Sequence, residues 1–119
     1  MTTIQRVAQI FGVVFILVAI LGFVASGTSM ESDPEMAAKI FGLFPVNLLH
    51  NIVHLLFGIW GLVASRSASA SVGYGRIGGI IYLVLAVLGY LAPDGFGLVP
   101  LGGNDIWLHV LLGAALALA

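Results

Sequence analysis

The sequence predicts an all-α protein, a four-helix transmembrane bundle built from two tandem parallel helix-pair repeats. Scarcity of charge is the first observation behind this. Of 119 residues, 61% are hydrophobic and only 8% are charged, whereas about a quarter of a soluble domain's residues carry charge. Four basic and five acidic side chains cannot cover a water-soluble monomer, and a mean hydropathy of +1.16 agrees. The second observation is that the apolar residues fall into four runs, each near the roughly 20 residues that cross a bilayer. They show no period-two alternation, which favours helices over a closed barrel. The third is that the second half of the chain restates the first.

The first span is predicted over 7–25, behind Arg6. Val24-Ala25-Ser26-Gly27 resembles a signal cleavage site, but the apolar run exceeds a signal core and reads as a retained helix. In the loop that follows, Ser32-Asp33-Pro34-Glu35 offers an N-cap, a proline at the first helical position and acid in the first turn. A short interfacial helix over 34–40, stopped by Gly42, is the expectation there. The second span is read over 46–64, followed by a Ser/Ala/Gly loop over 65–75. The third is read over 77–92 and the fourth over 101–119. Arg6, Arg66 and Arg76 flank one set of ends, while Glu31, Asp33, Glu35 and Asp94 fall on the other with Lys39. By the positive-inside rule both termini are cytoplasmic and the acidic loop faces outward.

Placing residues 41–58 over 96–113 aligns FGLFPVNLLHNIVHLLFG with FGLVPLGGNDIWLHVLLG without a gap. Phe41, Gly42, Leu43, Pro45, His54, Leu56 and Gly58 meet identical residues 55 positions later. The first and third spans match at an offset of 67, pairing Gly12 with Gly79, Phe15 with Tyr82, Gly22 with Gly89 and Phe23 with Tyr90. Both helix pairs start on the same side, so the expected relation is a pseudo-two-fold axis along the membrane normal.

All three histidines lie in this repeat. His50 and His54 stand four apart on the second span, and the repeat converts them to Asp105 and His109 on the fourth. A four-residue step puts two side chains on one helix face, about 6 Å apart along the axis. Two such pairs converging across a bundle form a His/Asp cluster able to ligate a transition metal, with zinc, copper or iron the leading expectations. His50, His54, Asp105 and His109 are the expected metal ligands. Asn47, Asn51 and Asn104 are the expected hydrogen-bonding partners behind them. Two other readings stand beside this one. His54 and His109 alone suit the axial positions of a haem b in a small cytochrome. Alternatively the polar pairs are helix–helix glue in an accessory subunit of a larger membrane complex or a homo-oligomer.

Other classes are excluded. There is no basic run for nucleic acid. Absence of cysteine removes disulfides, thiolate metal sites and cysteine catalysis. No glycine-rich phosphate motif is present.

The segments HNIVHLLFGIWGL, GRIGGIIYLVLAVLGY and NDIWLHVLLG resemble those of a family of small bacterial four-helix integral membrane proteins catalogued as a domain of unknown function. The resemblance covers nearly the whole chain, and the histidine-bearing segments are its most specific part. It implies a multi-pass protein of the bacterial inner membrane and assigns no activity.

Overall fold

Thr2 and Gln5 open the first helix as a capping box, each backbone N–H donating to the other's side-chain oxygen, at 2.9 and 3.3 Å respectively. In the computed structural model, which describes all residues from Met1 to Ala119, helix α1 then runs over Thr3–Ser26 and ends at Gly27 in a positive-φ conformation. A two-stranded antiparallel hairpin follows, β1 (Lys39–Ile40) against β2 (Phe44–Pro45). The remaining helices are α2 (Leu48–Ala64), α3 (Ala68–Leu91) and α4 (Asn104–Leu118). Helices α1 and α3 are long and apolar enough to cross a membrane, whereas α2 and α4 are apolar but shorter.

Three boundaries differ from the sequence reading, each for a local reason. The helix expected over 34–40 is a single turn closed on the Asp33 carbonyl by the N–H groups of Met36 and Ala37. Asp33 Oδ1 accepts from the Glu35 N–H at 3.0 Å, as an N-cap does, but the pairing of Lys39–Ile40 with Phe44–Pro45 then takes the chain out of helix. The segment 65–75, read as a loop, is mostly the start of α3. Ser67 caps it through the Ala70 N–H at 3.1 Å. Ser71 then donates to the Ala64 carbonyl at 2.9 Å and buried Tyr74 to the Phe57 carbonyl at 3.2 Å. Tyr74, read as part of that loop, is therefore a core residue. Finally, α4 begins at Asn104 rather than at 101, because the N–H groups of Leu101 and Gly102 are both held by the Pro93 carbonyl at 2.8 and 3.0 Å.

Helix α1 lies mainly on α2, and α3 on α4. Each pair closes on a glycine contact. A methyl group at Gly58 would stand 2.8 Å from the Gly12 carbonyl oxygen, and one at Gly113 would stand 2.9 Å from that of Gly79. Gly12 and Gly79, like Gly58 and Gly113, are the residues that the two sequence offsets align. The core between the pairs is aromatic, built on Phe15, Phe57, Tyr74 and Tyr82 with Leu116. Outside it the usual distribution is inverted. Ile10, Leu17, Val24, Leu56, Ile80 and Val87 stand exposed on the helix flanks, while Asn47, His50, Asn51, His54, Asp105 and His109 are buried.

Two turns at the acidic end repeat one conformation. In the hairpin, Phe41 and Gly42 have φ of 54° and 70°, and Phe96 and Gly97 beyond α3 have 61° and 82°. The Leu43 N–H donates to Ile40 O at 3.0 Å and the Leu98 N–H to Gly95 O at 3.2 Å, as in type I′ turns. A left-handed phenylalanine costs roughly 1–2 kcal/mol, which asparagine largely avoids. Phe96 is 76% exposed, so little packing is lost with it. Phe96→Asn is expected to stabilise the detergent-solubilised protein by about 1 kcal/mol, read as a rise in Tm. An unchanged or lower Tm would show that the apolar ring is held by its surroundings.

Candidate metal centre

His50 is placed by the start of its own helix. Asn47 Oδ1 accepts the His50 backbone N–H at 2.9 Å, which fixes the first turn of α2 and turns His50 inward. His54 follows one turn later on the same face. Their ring centroids are 4.3 Å apart. From α4, His109 brings its ring to 5.9 Å from that of His50. One ligand nitrogen from each of His50, His54 and His109 can be chosen so that all three lie within 4.8 Å of one another. All three side chains are buried.

Asp105, expected as a fourth ligand, is buried beside this trio, its Oδ2 3.8 Å from His50 Nδ1. That position suits a carboxylate that orients an imidazole from behind. The asparagines expected to back the histidine rings bind elsewhere. Asn47 is spent on the cap and donates its amide to the Leu98 carbonyl at 2.8 Å. Asn51 donates to Ser26 Oγ at 2.9 Å. Exposed Asn104 donates to the Leu43 carbonyl at 3.0 Å and accepts from Trp107 Nε1 at 3.1 Å. These bonds fasten loops and helix starts.

Phe15 and Tyr82 instead pack on the rings. Phe15 stacks on His54 with centroids 5.8 Å apart, and Tyr82 lies 5.3 Å from His109. Phe15 and Tyr82 also stack on each other at 5.3 Å and 12°. Sequence reasoning aligned these two as equivalents but did not assign them to the site. Their signal was that equivalent residues of two helix pairs meet wherever an axis relating the pairs would pass.

Polar satisfaction marks this region out. The Nδ1 atoms of His50, His54 and His109, Asp105 Oδ2, Tyr82 Oη and Asn51 Oδ1 are buried without a hydrogen-bond partner. Leaving one such group unpaired costs about 1–3 kcal/mol, and buried polar groups are otherwise nearly always bonded. Three convergent buried imidazoles among such orphans could hold a metal ion. Zinc bound at 2.0–2.1 Å in tetrahedral geometry sets nitrogens about 3.4 Å apart, against a spread of up to 4.8 Å in this trio. Haem does not fit. His54 is hemmed by Phe15 and His50, and His109 by Tyr82 and His50, with no slot for a macrocycle. The adjoining cavity of about 200 Å³ is below the roughly 300–1,000 Å³ of cofactor-sized pockets.

The chain belongs to the family described as Domain of unknown function (DUF4383), whose model matches residues 5–119. No curated protein and no solved structure matches it.

Proposed function

For this member of a family of unknown function, we propose an integral membrane protein that binds one transition metal ion, zinc, copper or iron, through His50, His54 and His109. Asp105 orients His50 from behind or closes the ion's fourth position. The observation that carries this is that three buried histidines each bring a ring nitrogen within 4.8 Å of the others. A purely structural role for the histidines is less well supported. Helix–helix glue works by hydrogen bonds, and no partner is present for these three Nδ1 atoms.

The membrane reading rests on apolar flanks over buried polar groups and on the two long apolar helices. Helices α2 and α4, of 17 and 15 residues, cross with the hairpin and the Pro93–Gly103 segment completing the outer end. Gln5 Nε2 donates to the Ser65 carbonyl at 3.1 Å, which gathers Arg6 and Arg66 at one end, opposite the acidic loops. That end faces the cytoplasm of a bacterium, and the protein lies in the inner membrane. The two helix pairs descend from one duplicated pair. In support, Gly12 on Gly58 recurs as Gly79 on Gly113, and Phe15 on His54 recurs as Tyr82 on His109.

Elemental analysis tests the metal reading on protein purified in detergent without chelator or a metal-affinity column. About one ion of zinc, copper or iron per chain is the expected result. A metal-free sample from metal-replete cells would overturn it.

A further inference from the structure

Among the charged side chains, Asp105 alone is buried. The others are exposed or, in Lys39, half-buried at the hairpin. The interior around the histidines therefore holds at most one negative charge and no fixed positive one. Its other neighbours are aromatic or aliphatic. Phe15 stacks on His54 and Tyr82 packs on His109. The adjoining cavity of about 200 Å³ is walled by Val18, Leu21, Ile40, Phe41 and Leu108, and its accessible surface is almost wholly apolar. The donors are few as well. The nitrogens that converge within 4.8 Å come from His50, His54 and His109 alone, and Asp105 stands beside them, 3.8 Å from His50 Nδ1.

Charge and donor number both bear on the ion. A net charge left uncompensated in an apolar interior is costly. With Asp105 ionised, a monovalent ion leaves the centre neutral and a divalent ion leaves it at +1. With the carboxyl protonated, the divalent ion is again the worse by one charge. A divalent ion reaches neutrality only by bringing in a further anion such as hydroxide, and the apolar cavity has no polar surface to hold one. Donor number points the same way. Zinc in proteins is almost always four-coordinate, whereas copper(I) is satisfied by three nitrogens around it and needs no bound water. Imidazole is a ligand that copper accepts. We infer that the centre is built for copper(I), held by His50, His54 and His109 with Asp105 as its counter-charge. This rests on the metal-binding reading above and narrows the ion to one that it allows.

The test uses the full chain in detergent, loaded with copper(I) under ascorbate in competition with the chromophoric chelator bicinchoninate. A single saturable copper(I) site is expected. After ascorbate is removed and air admitted, the copper should stay in the +1 state, silent in electron paramagnetic resonance. Silver(I), which matches its charge and taste for nitrogen donors, should displace it, while a large excess of zinc(II) should not. Asp105→Asn keeps the three imidazoles and a hydrogen-bonding side chain but removes the counter-charge. It should weaken copper(I) at least about tenfold with helical content unchanged, and Asp105→Glu, which restores the charge, should recover most of the loss. Displacement by zinc(II), a copper(II) signal accounting for the bound ion, or copper(I) affinity unchanged in Asp105→Asn would each overturn the inference and leave a metal centre standing. A chain that takes up neither copper, silver, zinc nor iron removes the metal reading itself.

Discussion

Replacing His54 and His109 together with alanine is expected to reduce bound metal from about one ion per chain to below about a tenth, with helical content retained. The two residues supply two of the three nitrogens that lie within 4.8 Å of one another, and His50 cannot hold an ion alone. The fold should survive because both side chains carry buried atoms without partners. Removing them relieves a desolvation cost of about 1–3 kcal/mol each, which offsets part of the packing lost. The two variants therefore differ most when metal is added. A ligand at a hundred times its Kd stabilises a protein by about 2.7 kcal/mol, so Tm of the natural chain should climb with metal and that of the double variant should stay flat. Asp105→Asn should weaken metal about 10- to 100-fold, the range for a group that orients a ligand from behind. Equal metal content in the natural chain and the double variant would remove the proposed centre.

Gly58→Leu and Gly113→Leu are expected to give the largest losses of stability in the molecule. The first atom added at Gly58 would stand 2.8 Å from the Gly12 carbonyl oxygen and 2.9 Å from the Ile16 backbone nitrogen. At Gly113 it would stand 2.9 Å from both the Gly79 carbonyl oxygen and the Leu83 nitrogen. These obstacles are backbone, so a rotamer change cannot clear them and the helices must part. Overpacking costs about 1–3 kcal/mol even where side chains can yield. Either substitution should therefore lower Tm in detergent by well over ten degrees or prevent folding. Gly73→Leu is the control, because nothing lies within 4 Å of a methyl group there, and it should be nearly neutral. Similar losses at all three positions would mean that close approach of the facing backbone does not set them, since Leu is the better helix former at each.

The number and type of the helices were legible because each is a continuous apolar run, and such runs survive any detail of packing. The meeting of His50, His54 and His109 was legible for the same kind of reason, since i,i+4 spacing and one recurring motif suffice to bring them together. Element ends were not. Ser67, Ser71 and Tyr74 read as loop by composition, yet Ser67 caps α3 and the other two lie within it, where Ser71 and Tyr74 find carbonyls on α2, a tertiary fact. Pro34 and Glu35 look like a helix start, and Asp33 caps them as one, but the pairing of Lys39–Ile40 with Phe44–Pro45 ends the turn at once. Asn47, Asn51 and Asn104 were recognisable as polar residues near the histidines. Their partners, Leu98, Ser26 and Leu43, lie up to 61 positions away, and no local pattern reports such a distance. Phe15 and Tyr82 were hidden for the opposite reason, because aromatic residues in an apolar run look like any other core.

Asn47 reaches from the first helix pair to the carbonyl of Leu98 in the second, and Asn104 reaches back to that of Leu43. Leu43 and Leu98 are the same position of the repeated motif. Each half thus ties its neighbour's loop at an equivalent carbonyl, much as two copies of a helix pair would across a dimer axis, although the donors differ, since the alignment sets Asn47 against Gly102 and Asn104 against Leu49. In such a dimer every position would occur twice and be forced to be identical. Under the proposed duplication, joining the halves into one chain lifts that constraint, and His50 facing Asp105 is a position at which the two halves differ. A symmetric ancestor would have had to place either four histidines or two aspartates and two histidines around its axis. Only the fused chain can set a single carboxylate against an odd number of imidazoles.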